Sequence, residues 1–183
     1  MIVAETERLR LRELTEEDAA FALELVNEPD WLRFIGDKGV RTLEDARRYL
    51  REGPITSYRK NGFGLWAVEE ASSGRATGIC GLIRRTELED VDLGFAFLAR
   101  FRGKGYARES AVAVVDLARD RFGFARLLAI TLPANERSIR VLESLGFGFE
   151  RRTKLTPDGE ELALYARTLE LRNPTGPAAR STC

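Results

Sequence analysis

The sequence predicts one mixed α/β domain in which helices cover a twisted sheet. Three observations lead there. Its 183 residues fit a single domain at about 100–200 residues each. Apolar residues make up 44%, ordinary for a globular chain and too many for a disordered one. Segments of period two and of helical period alternate in the order β-α-α-β-β-β-α-β-α-β-β, which mixes strands and covering helices in one layered unit.

Each element has its own signal. Residues 7–13, ERLRLRE, alternate apolar and charged and predict a half-buried strand. Thr15-Glu16-Glu17-Asp18 opens a helix, with threonine able to cap free amides and acids at the positive end of the dipole. That helix runs through Phe21, Leu25 and Val26 and stops at Asn27-Glu28-Pro29, because the residue before proline avoids the helical region. Trp31, Phe34 and Ile35 follow as an apolar knot. Thr42-Leu43-Glu44-Asp45 starts a second helix through Ala46, Tyr49 and Leu50, which Gly53-Pro54 should end.

The middle of the chain switches to period two. Leu65–Glu69 and Ala76–Arg85 flank the turn Ser72-Ser73-Gly74 as a hairpin, and Val91–Leu98 is apolar enough for a central strand. Gly103-Lys104-Gly105 breaks the pattern. From Tyr106 to Phe122 the positions Ala107, Ala111, Val114, Val115 and Ala118 recur at helical spacing. Leu127–Leu132 is a strand, Asn135–Leu145 a helix, and Gly146 its C-terminal cap. Phe147–Lys154, the turn Thr156-Pro157-Asp158-Gly159 and Leu162–Leu171 form a last hairpin. The domain is expected over residues 1–171, with 172–183 a flexible tail.

Composition removes several function classes. The chain has 29 Lys and Arg against 29 Asp and Glu, which argues against wrapping nucleic acid or coating an anionic membrane. It has no histidine, so a Ser-His-Asp or Cys-His nucleophile and an imidazole zinc site are impossible. Two cysteines, Cys80 in an apolar stretch and Cys183 at the end, make no disulfide framework, and Cys80 suits a small buried hydrophobe. With no signal-peptide core and no membrane span in the sequence, a cytoplasmic location is expected.

The chemistry concentrates in Arg100-Phe101-Arg102-Gly103-Lys104-Gly105-Tyr106-Ala107-Arg108, between a buried strand and a helix. Four cations and no anion stand within these nine residues. Glycines let backbone approach a ligand, and the helix start offers unpaired N–H groups and partial positive charge. A phosphate or pyrophosphate fits, although glycines also simply punctuate turns. The dinucleotide pattern fails at Arg108, and the P-loop pattern fails because Gly105 follows Lys104.

A second motif follows the next strand: Asn135-Glu136-Arg137-Ser138, continuing to Leu145-Gly146-Phe147. With it the sequence resembles the GNAT superfamily of N-acetyltransferases. Arg100-x-x-Gly103-x-Gly105 matches that family's pyrophosphate loop, and Asn135-x-x-Ser138 with Leu145-Gly146-Phe147 matches the helix beside its acyl-CoA arm. The opening Glu7-Arg8-Leu9-Arg10-Leu11-Arg12 is similar to the branch of ribosomal-protein N-terminal acetyltransferases (RimJ/RimL-like). The likeness spans about residues 5–170.

The resemblance implies a mostly antiparallel seven-stranded sheet, with a V-shaped opening between its central strands. It implies acetyl-CoA as acyl-donor cosubstrate, no metal, an amine acceptor (a protein N-terminus or a small molecule) and, by analogy, a homodimer. Backbone at Phe97 and Leu98 would pair with the pantetheine arm, and N–H groups around Leu98 would serve the thioester oxygen. The amides of Arg102 to Ala107, including Gly103, Lys104, Gly105 and Tyr106, would hold the pyrophosphate. Lys104 and Arg108 are either phosphate partners or solvated side chains. Asn135 both caps its helix and offers an amide to the pantetheine.

For catalysis, the base must be a carboxylate, a tyrosine or relayed water. Asp92 stands where this branch often has a glutamate, and is either the base or a solvent-facing strand residue. Glu87 and Glu89 are weaker choices. Ser138 either donates to the departing thiolate or bonds its own helix backbone. Trp31, Phe34 and Tyr49 line the acceptor pocket or pack the core. The activity expected is direct acetyl transfer to a primary amine in a ternary complex; the alternative is an acyl-CoA-binding sensor without catalysis.

Overall fold

In the computed structural model, which describes residues 1–170, an eight-stranded sheet runs in the order β1-β2-β3-β4-β5-β6-β8-β7. The strands are β1 (Ile2–Glu5), β2 (Leu9–Arg12), β3 (Leu65–Glu70), β4 (Ala76–Ile83), β5 (Asp92–Phe97), β6 (Arg126–Thr131), β7 (Gly148–Thr153) and β8 (Leu162–Thr168). The expected count of seven is therefore corrected to eight. The added strand, β1, is a four-residue edge strand with no buried residue, too short and too exposed for a period-two pattern to register.

The helices are α1 (Ala19–Val26), α2 (Pro29–Phe34), α3 (Leu43–Leu50), α4 (Thr56–Asn61), α5 (Tyr106–Asp120) and α6 (Glu136–Ser144). The apolar knot after Pro29 is α2 itself: proline occupies its first turn, where a missing N–H costs nothing. Gly53-Pro54 does not end α3. The chain passes through a π-helical turn, Arg51–Ile55, straight into α4, and Gly62 (φ +76°) is the actual stop. The wider turn accommodates Pro54 without a break, and the Thr56 hydroxyl donates to the Arg51 carbonyl at 2.6 Å. The expected tail, 172–183, lies outside the described residues. Among the described residues no helix is long and apolar enough to cross a membrane.

Side-chain alternation in β3 and β4 feeds two cores. Trp66 and Val68 with Cys80 and Leu82 face α5, whose Ala111, Val114, Val115 and Ala118 are fully or nearly fully buried. Ala67 and Ile79 face the opposite way, onto Leu25, Trp31, Ala46 and Leu50 of α1 to α3. Alanines on the inner face of α5 let that helix approach the sheet closely, while each buried Leu or Val contributes about 1.5–3 kcal/mol.

All neighbouring strands are antiparallel except β5 and β6. Those two are parallel and pair at Asp92↔Leu128, where the Leu128 N–H donates to the Val91 carbonyl at 2.9 Å. Beyond that point no pair joins them and they part. This is the V-shaped opening between the central strands, and it leaves one backbone edge of β5 unpaired.

Candidate active site

The open edge of β5 can be read residue by residue. The Leu98 N–H donates to the Thr77 carbonyl at 3.0 Å. Antiparallel pairing alternates, so Asp92, Gly94, Ala96 and Leu98 direct their backbone groups to β4, and Leu93, Phe95 and Phe97 direct theirs into the gap. The expectation for Leu98 is corrected: its amide is spent within the sheet and its side chain is fully buried. The outward donors are the Phe95 and Phe97 amides. The Phe97 carbonyl accepts from Arg102 Nε at 2.9 Å.

At the C-terminal end of β5 the chain makes one 3₁₀ turn, Ala99–Phe101, and then the glycine loop. Gly103 (φ +76°) and Gly105 (φ +83°) hold left-handed backbone, and Gly105 caps α5. The amides of Gly103, Lys104, Gly105, Tyr106, Ala107 and Arg108 donate to no group among the described residues. A Cβ built on Gly103 meets nothing within 4 Å. Six unpaired donors at a helix start, over a residue without a side chain, fit a diphosphate.

The four cations of this loop do not act together. Arg100 pairs with Glu24. Arg102 turns to Asp30 at 2.5 Å and Glu28 at 3.4 Å, at the start of α2. Lys104 Nζ lies 3.8 Å from Glu70, whose carboxyl is held down to about 2 by Arg75, Tyr106 and Ser73. Arg108 is exposed and makes no ion pair among the described residues. Arg102 is thus a brace between the loop and α2, and the expectation for its amide is corrected, since that N–H donates to the Ala99 carbonyl at 3.2 Å; Arg108 is the side-chain cation left over for a phosphate.

The sequence reading missed Arg8. Its Nε donates to Glu109 Oε2 at 2.7 Å, its Nη1 donates to the Lys104 carbonyl at 3.0 Å, and its guanidinium lies 5.0 Å from the Tyr106 ring centroid. Thr6 and the Arg8 amide also donate to Glu109, at 2.6 and 3.0 Å. The β1–β2 turn, with Arg8 96 residues upstream of Lys104, thereby fixes the loop and the first turn of α5. No local pattern announces a partnership across that separation. Replacing Arg8 with Met is expected to raise KM for acetyl-CoA about tenfold, the order of one charge-assisted hydrogen bond, with kcat little changed. Steady-state kinetics at varied acetyl-CoA checks it.

At the other end of β5, Asp92 is 1% exposed and does not face solvent. Arg85 Nε donates to its carboxylate at 3.1 Å. Burial pushes the carboxyl up to about 6, with Arg85 pulling the other way. Asp92 lines the same cleft as Ser138, Asn135, Arg108 and the loop, and Trp31, Phe34 and Tyr49 belong to its wall as well. Trp31 is also packed in the α1–α3 core, so it serves both. Its buried Nε1 has no hydrogen-bond partner among the described residues. Burial alone lifts the Tyr49 hydroxyl to about 12, so it stays neutral.

On α6, Asn135 accepts from the Ser138 amide at 3.2 Å as helix N-cap, and its Nδ2 donates to no group among the described residues. The Ser138 hydroxyl does not bond to its own backbone and is free of partners among the described residues. Cys80 is fully buried with its thiol pushed up to about 12 by desolvation, which makes it a poor nucleophile. Glu87 and Glu89 are exposed, and Glu89 is tied to Arg126 at 3.2 Å.

Comparison with known proteins fits this geometry. The family model for the acetyltransferase (GNAT) domain matches residues 8–148. An uncharacterized protein of Bacillus subtilis, YkkB, is 30% identical over 168 residues, covering 88% of this chain and 93% of that protein. The crystal structure of an acetyltransferase from Agrobacterium tumefaciens superposes with a TM-score of 0.76 at 24% identity, over 92% of this chain and 95% of that one. A Salmonella typhimurium acetyl transferase, described as modifying the N-terminal serine of ribosomal protein L7/L12, gives 0.77 at 18% identity over 93% and 100%. With its glycine loop at a helix start, its parted central strands and a family match over most of its length, the chain belongs to the GNAT acetyltransferases.

Proposed function

We propose that this protein transfers the acetyl group of acetyl-CoA directly to a primary amine, a protein N-terminal α-amine or that of a small molecule, in a ternary complex. One observation carries the reading: the unpaired edge of β5 links six orphan amides at one end to a buried carboxylate at the other. Its six residues span about 16–20 Å at ~3.3 Å each, the scale of an extended pantetheine arm.

The residue roles follow from their chemistry. Amides of Gly103 to Arg108 hold the diphosphate, with Arg108 as countercharge. Outward groups of Phe97 and Phe95 pair with the pantetheine, and the Phe95 N–H donates to the thioester oxygen as negative charge develops on it. Asp92, ionised above about pH 6, accepts the ammonium proton through water, since its side chain is short and buried. The neutral amine attacks the carbonyl carbon, the carbon–sulfur bond breaks, the acylated nitrogen gives up its second proton through water to the thiolate, and the Ser138 hydroxyl hydrogen-bonds that thiolate as it departs. The inert Cys80 supports attack without a covalent enzyme intermediate.

The test is free-thiol release from acetyl-CoA across peptide N-termini, amino acids, polyamines and aminoglycosides. Amine-dependent release is expected for at least one class. Tight CoA binding with no such release from any class would replace the enzyme with an acyl-CoA sensor.

A further inference from the structure

The acceptor end of the cleft has a sign. Its wall includes α2 and the loop after it, the π-helical turn with α4, and the residues that follow β4. Those segments bring Arg33, Lys38, Lys60, Arg84 and Arg85 to the cleft. Against them stand Glu28, Asp30, Glu52 and Asp92, of which Glu28 and Asp30 are already paired with Arg102 at 3.4 and 2.5 Å and Asp92 with Arg85 at 3.1 Å. Arg33, Lys38, Lys60 and Arg84 are exposed and form no ion pair among the described residues. The Trp31 Nε1 and Tyr49 hydroxyl in the same wall are hydrogen-bond donors without acceptors among the described residues.

Such a wall repels a polycation. A polyamine or an aminoglycoside would place extra ammonium groups among five cations, while a carboxylate would find both charge and donors. The same charges disfavour an ammonium bound beside them, which shifts the acceptor toward the neutral nucleophile. Lys38 itself feels this field: although the residue as a whole is exposed, desolvation and then Arg85 lower its pKa.

We infer that the acceptor is a primary amine carrying a carboxylate close to it, with the carboxylate on the Lys38–Arg84 side and the amine at Asp92. The inference rests on the acetyl-transfer reading above. An amino acid and an acidic peptide N-terminus share this chemistry.

The experiment is calorimetric titration of the full chain saturated with CoA, so that binding is read without turnover. Aspartate is compared with its diamide, a peptide beginning Asp-Asp with the same peptide as Asn-Asn, and spermidine completes the set. In at least one pair the carboxylate member is expected to bind about tenfold tighter at low salt, with the difference shrinking as salt screens it. The responding pair identifies the source. The double variant Lys38→Glu, Arg84→Glu, altered at exposed positions, should abolish the difference while leaving CoA affinity unchanged. Equal or undetectable binding within both pairs, tighter binding of spermidine, or a preference that survives the double variant overturns the inference. Failure of the acetyl-transfer reading looks different: a carboxylate preference in binding, with no thiol release from any amine.

Discussion

Replacing Asp92 with Asn is expected to lower kcat about 10²–10³-fold, the usual worth of a positioned general base. Wild-type kcat should rise between pH 5 and 7 with an apparent pKa near the value of about 6 to which burial pushes this carboxyl, and the variant should lack that limb. A variant with an unchanged profile would remove Asp92 from the chemistry. A second readout separates a base from a merely structural partner of Arg85. The folded pKa lies above the ~3.9 of an unfolded aspartate, so the folded state holds the proton more tightly. Its contribution is fully present below about pH 4 and is lost as pH rises through 6, a cost of about 3 kcal/mol at neutral pH. Asparagine is neutral throughout and avoids that cost. Urea denaturation at pH 7 should therefore find Asp92→Asn at least as stable as wild type, by up to about 3 kcal/mol, and nearly equal to it at pH 4. A variant clearly less stable at pH 7 would mean that the Arg85 pair is there for the fold.

How far the sequence reaches is visible in single residues. Regular elements with strong periodicity were legible: α5 lies where alanines and valines recur, and β3 and β4 flank the turn the sequence marks. Helix α2 and the continuation of α3 into α4 were not. There Pro29, which does stand past the end of α1 as read, also opens α2 at its first turn, and Pro54, read as a stop, is absorbed by a π-helical turn. In the site, Gly103, Gly105 and Asn135 declare themselves because backbone geometry and capping are local properties. Arg8 and Glu109 meet across 101 residues, and Arg85 reaches Asp92 from the connection just past the end of the adjacent strand β4. Tertiary contact alone makes those pairs. The four loop cations show the same limit: their number was legible, but not that Arg100 and Arg102 would turn toward Glu24, Glu28 and Asp30.

Gly103→Glu is expected to weaken CoA binding about a hundredfold while the protein stays folded. Two separable effects act on this residue. Its φ of +76° is costly for any residue with a Cβ, by roughly 1–2 kcal/mol. A Cβ at this position meets nothing within 4 Å, so packing does not exclude the new side chain, which brings a carboxylate to the loop that carries six free amides. Gly103→Ala carries the backbone strain without the charge. If the loop holds an anion, titration with CoA should rank wild type above Gly103→Ala and both far above Gly103→Glu, with added salt narrowing the last gap. Equal Kd values for Ala and Glu would mean that the ligand's charge lies elsewhere. Acetyl-pantetheine, which has the thioester and arm but no diphosphate, makes the decisive control. Its weak binding depends on the edge of β5 and not on the loop, so Gly103→Glu should leave its KM unchanged. A parallel loss for both donors would instead trace the defect to a displaced β5 and sink the assignment of the loop.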